Sequence, residues 1–252
     1  MGAPEGLGGA DRAAPSRRAR TGIRDQTSKT GSDVKIVHVI TRFIRGGADE
    51  NTLLTCNGQA EMGHDVTLIH GGEFHESMVA RLSANVRCIC VPALVRPVHP
   101  LKDVLTFANL TNTLRRIRPD IVHTHESKAG VIGRMAARIA GVPINVHGVH
   151  ILAFVHTRFP LSTIYRYIER FVGTMTDAFI DVSGAMCETA LAARIGRREQ
   201  HFVVESGMQV EVFQNATALD WRKDPQLRDL QIDKPRFLLL SGTLEISPIR
   251  SS

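Results

Sequence analysis

The chain of 252 residues is 43% hydrophobic and 22% charged, an ordinary globular composition long enough for one large domain or for one domain and the start of another. No apolar run approaches the roughly 18 residues of a membrane span. The net charge of +6 suits phosphorylated substrates or an anionic membrane surface, and is too weak to argue for nucleic acid.

Residues 1–33, rich in Gly, Ala, Arg and Ser, hold almost no large apolar side chain and read as a disordered leader. Six basic against four acidic residues give this segment +2, which leaves +4 for the remainder. From Val34 the pattern alternates. Strand-length apolar runs are VKIVHVI, DVTLIHG, VRCICVP, DIVHTH, INVHGVH, AFIDVS and HFVVE. Helical spacing falls between them over Gly47–Gly63, Pro100–Ile117, Ser127–Gly141, Leu161–Thr174 and Ala185–Ile195. Near-continuous Val/Ile runs in βαβα order predict strands buried on both faces of a parallel sheet. The fold class is therefore α/β, a doubly wound Rossmann-like domain over 34–213. Residues 214–252 read as a linker and then a fresh buried strand, RFLLLSG, the first strand of a second domain. The four cysteines show no CxxC or framework spacing, which predicts reduced thiols in a cytosolic protein.

Three segments carry chemistry. Gly46 and Gly47 follow the first strand and open a helix, where close backbone approach and free amides suit a diphosphate; the plain alternative is a flexible loop. In HTHESKAG, His123 and His125 share one side of a strand. Three readings fit: a chelated metal, local packing, or a cleft in which His125, Ser127 and Lys128 offer donors to sugar hydroxyls or phosphate. The third is favoured, because open α/β sheets bind ligands at strand carboxyl ends, and zinc would want a further ligand that the local sequence lacks. His147 and His150 close the next strand, where His150 can orient or deprotonate a hydroxyl. Helix Leu161–Thr174 carries an apolar stripe beside Arg158, Arg166 and Arg170. The stripe is expected to face the core, and a membrane-surface contact follows only if part of it is exposed.

The segments GGADENTLL, GHDVTLIHG, LVRPVHPLKD, RPDIVHTHESKAGVIGRMAARIAGVP, VHGVH and SGMQVEVF, in this order and spacing, resemble the N-terminal domain of bacterial family 4 GT-B glycosyltransferases. The resemblance implies a two-domain enzyme that moves a sugar from a nucleotide sugar, UDP- or GDP-linked, to a hydroxyl of a glycan or lipid-linked acceptor. Retention at the anomeric carbon, no bound metal or other cofactor, and stabilisation of the leaving diphosphate by amides and basic side chains are part of that implication. So are a role in polysaccharide or glycoconjugate synthesis and a cytoplasmic location, peripheral to the inner membrane. By position, Gly46 and Gly47 match the glycine loop near the donor phosphates. His150 matches the histidine beside the reacting centre, and His125, Ser127 and Lys128 match the acceptor-side cleft. Two departures stand out: Ile151 replaces the usual Gly, and TLEISPIRSS follows RFLLLSG in place of the phosphate-gripping loop and Glu-x7-Glu segment. The expectation is a donor domain mostly missing and a chain inactive alone. The alternative is a non-catalytic glycan-binding remnant, or a half-enzyme completed in trans by a partner domain.

Overall fold

A computed structural model describes residues 33–207. The readings of residues 1–32 as a leader and of 214–252 as a linker and strand lie outside the described residues. Seven strands form one sheet: β1 (Lys35–Ile40), β2 (Asp65–Gly71), β3 (Val86–Val91), β4 (Ile121–His125), β5 (Ile144–Val149), β6 (Ala178–Asp181) and β7 (His201–Val203). All pairs are parallel, in the order β3-β2-β1-β4-β5-β6-β7. The helices are α1 (Gly47–Glu61), α2 (Glu76–Val79), α3 (Pro100–Ile117), α4 (Ser127–Ala140), α5 (Leu161–Gly173) and α6 (Gly184–Ala192). Each predicted strand is present, and α2 is the one α-helix among the described residues that the periodicity missed. Four residues are too few to show a helical repeat.

Two apolar layers cover the sheet. Val37, Val39, Val122, Leu110, Leu114 and Ala136 pack β1 and β4 against α3 and α4. Ile40, Leu53, Cys56, Leu68 and Met78 pack the opposite face against α1 and α2. The alternation of β1 thus sends Val37 and Val39 one way and His38 and Ile40 the other. Edge strand β3 departs from two-sided burial, and its Cys88 and Cys90 are exposed free thiols.

Local chemistry fixes the helix ends. Pro100 opens α3 behind an N-cap at His99, and Ser183 caps α6 by accepting from the Met186 amide at 3.2 Å. Gly141 ends α4 in the left-handed conformation, φ 76°.

Helix α5 corrects one expectation. Its stripe faces the core only in part: Val172 is buried and Tyr165 packs against the core, but Leu161, Ile164 and Phe171 are exposed, as are Tyr167 and, just before the helix, Val155 and Phe159. The inward face is Glu169, Val172 and Gly173. Glu169 is drawn in by Arg134 of α4, fully buried, whose Nη2 donates to Glu169 Oε2 at 2.7 Å. The guanidinium also donates to the Gly130 carbonyl at 2.7 Å and to Thr176 Oγ1 at 3.5 Å. An ion pair thus shares the inward side of α5 with Val172 and Tyr165.

Candidate active site

Strand order reverses between β1 and β4, so the switch point of the sheet lies at their carboxyl ends. Three segments meet there: the β1–α1 loop, the β4–α4 hinge and the end of β5. Gly46 is the extended N-cap of α1, and Gly47 is its first residue. A Cβ on Gly46 would stand 2.7 Å from Asp49 Oδ2, whereas one on Gly47 would meet nothing within 4 Å. A side chain at Gly46 would have to displace the Asp49 carboxylate, whereas the space beside Gly47 is open to a ligand.

Two carboxyl groups close this loop, neither of them assigned from the sequence. Asp49 is buried and its Oδ1 accepts from the Ile44 amide at 3.3 Å. Burial, and next the neighbouring Glu126, push its pKa up to about 7. Glu126 Oε2 accepts from the Arg42 amide at 3.3 Å, and its Oε1 lies 3.8 Å from the Arg42 guanidinium. Burial raises the Glu126 pKa as well. Glu126 is also the β4–α4 hinge, at φ 60°, ψ 168°, a region that is essentially glycine territory and costs about 1–3 kcal/mol for other residues. A strained acid at the switch point is the kind of feature that marks a functional site.

The histidines form one connected cluster. His38 on β1 is in register with His123 on β4, so both lie on the α1 face together with His125. His38 Nε2 is 2.7 Å from Gln59 Oε1 of α1, and His38 Nδ1 is 3.0 Å from His125 Nε2. His125 Nδ1 is 3.1 Å from His150 Nε2. A Cβ built on Gly148 would meet His125 Nδ1 and His150 Nε2 at 3.1 Å and His123 Nε2 at 3.2 Å, so three ring nitrogens converge on one glycine. Burial drives the pKa of His38 and of His150 down to about 4. Burial, then the neighbouring imidazoles, puts His123 and His125 well below the usual histidine range. The cluster is neutral at physiological pH. His147, on the opposite face, is held neutral by burial and by Arg134, with Nδ1 3.0 Å from Thr124 Oγ1.

The predicted residues come to the same mouth, in different roles. His150 is half-buried at its rim and available. His125 is wholly buried with both nitrogens engaged by other histidines, so it offers no donor to the cleft directly. Ser127 begins α4. The Lys128 ammonium is bound to Asp103 Oδ1 at 2.6 Å and to the Pro97 carbonyl, so it ties α4 to α3. Gln59 went unassigned because a glutamine on an amphipathic helix reads as surface. A depression lined by Arg118, Asp120, Val142 and Pro143 lies at the opposite, amino end of β4 and β5.

His38, His123 and His125 each bring a ring nitrogen within 4.8 Å of the others, and Asp181, Cys187 and His201 do likewise. Tetrahedral zinc would hold its nitrogens about 3.3 Å apart. The facing nitrogens of His38 and His125, at 3.0 Å, have the spacing of a hydrogen bond.

A seven-stranded parallel sheet with helices on both faces and a switch point between β1 and β4 is the architecture of the N-terminal half of a GT-B fold. The chain belongs to the glycosyl transferase 4-like domain family, whose model matches residues 46–207. It is 32% identical over 187 residues to the UDP-Gal:alpha-D-GlcNAc-diphosphoundecaprenol alpha-1,3-galactosyltransferase of Escherichia coli, over 73% of this chain and 47% of that enzyme. The chain thus spans about half the length of this curated relative. Among solved structures, a glycosyltransferase from Rickettsia africae superposes with a TM-score of 0.56 at 16% identity, over 81% of this chain and 52% of the other. Anabaena HepE, solved in complex with UDP and glucose, gives 0.53 at 16% identity, over 71% and 46%.

Proposed function

We propose that this chain is the acceptor-side domain of a glycosyltransferase that moves a sugar from a UDP-sugar to a hydroxyl of a lipid-linked acceptor. The observation that carries the reading is His150, a neutral imidazole just after the carboxyl end of β5, braced against His125 of β4 beside the switch point. A ring neutral at physiological pH can accept a hydrogen bond from a sugar hydroxyl and orient it. The space beside Gly47, at the first turn of α1, is open and suits the donor diphosphate. Ser127, at the first turn of α4, supplies a further hydroxyl, while His125 and Lys128 hold the walls. The nucleotide is held mainly by a second domain, in the same polypeptide or in a partner. No bound metal is required in this reading.

The acceptor class rests on the exposed face of α5 and on the galactosyltransferase relative, whose acceptor is a diphosphoundecaprenol lipid. Phe159, Leu161, Ile164 and Phe171 stand on the surface with Arg158 and Arg166 beside them. Such a face lies flat on an anionic bilayer, with apolar groups at the acyl boundary and guanidinium groups at the lipid phosphates. Among the described residues no helix is long and apolar enough to cross a membrane. The proposed location is the cytoplasmic face of a bacterial inner membrane.

The test is transfer of radiolabelled galactose from UDP-galactose to a GlcNAc-diphosphate lipid by the chain joined to, or mixed with, its second domain. Transfer is expected, with His150→Ala lowering kcat about 10²–10⁴-fold. Full activity of His150→Ala would overturn the assignment of that residue. Turnover by the 252-residue chain alone would overturn the need for a second domain.

A further inference from the structure

Neutral imidazoles have one donor nitrogen and one acceptor nitrogen, so a line of them carries a direction. Here the line runs from Gln59 to His38, His125 and His150, through contacts of 2.7, 3.0 and 3.1 Å. Its first member is a carboxamide oxygen, which only accepts. His38 must therefore hold its proton on Nε2, which makes Nδ1 an acceptor. His125 then donates from Nε2 and accepts at Nδ1, and His150 donates from Nε2. Its Nδ1 is left with a lone pair, on a ring that is only partly buried.

We propose that Gln59 is a positioning residue that fixes the tautomer of His150 through His38 and His125, so that Nδ1 meets the substrate as a hydrogen-bond acceptor. The inference deepens the proposed function and rests on it for the word substrate; the tautomer itself is a property of the protein alone. Were the amide nitrogen of Gln59 to face His38, every tautomer would reverse, and His150 would present an N–H. The orientation of one side chain on α1 thus decides whether the rim accepts or donates. The line crosses the switch point, from α1 through β1 and β4 to the end of β5, so it also couples the three segments that build the mouth. No proton needs to move along it.

The direct measurement is a long-range ¹H–¹⁵N correlation spectrum of the full chain with labelled histidines at neutral pH. His38, His125 and His150 are each expected to carry the proton on Nε2. A His150 proton on Nδ1 in the wild type overturns the proposal at once, without any variant. Gln59→Met, similar in length but without the acceptor, should give a His150 tautomer mixture. An unchanged tautomer in a folded Gln59→Met chain overturns the role of Gln59. In the completed enzyme, Gln59→Met should lower kcat roughly tenfold or more, with the KM for the UDP-sugar little changed. If the tautomer shifts and turnover does not, the relay stands and the functional reading of His150 falls.

Discussion

The two halves of the sheet treat buried histidine in opposite ways. At β1, β4 and β5 the rings of His38, His123, His125 and His150 are packed together with no carboxylate among their hydrogen-bond partners, and burial strips them of charge. At β6 and β7, His201 is also removed from water, and burial again opposes its charge. Yet Nδ1 lies 2.7 Å from Asp181 Oδ2 and Nε2 lies 2.9 Å from the Ile195 carbonyl, and these two acceptors raise the pKa above the ordinary value. The ring also stacks on Phe179, with centroids 4.5 Å apart. The difference teaches that burial alone does not set a histidine's charge; the chemistry of its nearest acceptors does.

Acid should produce the largest effect. Histidines with a lowered folded pKa resist protons that the unfolded chain takes up below about pH 6.5. Stability should therefore fall as pH drops from about 6.5 toward 4, by about 1.4 kcal/mol per pH unit for each excess proton. Asp49 works the other way, because its raised pKa favours the folded state below about 7, and Glu126 shares that direction. Six lowered imidazoles, His38, His70, His123, His125, His147 and His150, outnumber these two carboxyls and the raised His201. Urea titrations at pH 6.5 and 5 should show the loss, and equal midpoints would refute the neutral cluster.

Next in size is Arg134→Met, which leaves Glu169 buried without its partner and should cost about 3–5 kcal/mol. Replacing both residues with apolar ones should recover much of that stability. A double variant as weak as the single would show that the pair matters for more than compensated charge.

The comparison is sharpest at His201. Its raised pKa contributes stability that is complete below about pH 6.5 and is lost as pH rises through the folded value. Asp181→Asn should cost about 1.5–3 kcal/mol at pH 6 and markedly less at pH 9. A cost independent of pH would mean that the ring is not charged. The smallest effect belongs to Ser183→Ala, about 1 kcal/mol by chemical denaturation from loss of the α6 cap. It serves as a pH-independent reference.

Much of the fold was legible because parallel strands buried on both faces leave continuous Val/Ile runs, and β1, β2 and β4 read directly. The mouth was legible in part. His125 and His150 stand out as polar residues at strand ends, but the sequence cannot say that one hides behind the other. Gln59, Asp49 and Glu126 were not distinguished. Their roles come from which segments the switch point brings together, and that is a long-range property of the sheet order. The stripe of α5 misled because helical periodicity gives the width of an apolar face and not its direction. Part of that face does pack inward, at Val172 and Tyr165, beside the buried pair of Arg134 and Glu169, 35 residues apart.

Gly148 sets an order on change. The space its missing side chain leaves is closed by nitrogens of His123, His125 and His150, and Gly130 stands the same way to His147, whose Cε1 would be 2.6 Å from a Cβ there. A mutational path that enlarges either glycine first must push aside a ring locked in a hydrogen bond. A path that first shrinks the histidine opens the room beforehand. The order of steps therefore matters most at Gly130, where the approach is 2.6 Å, and less at Gly148, where rings at 3.1–3.2 Å need give only slightly.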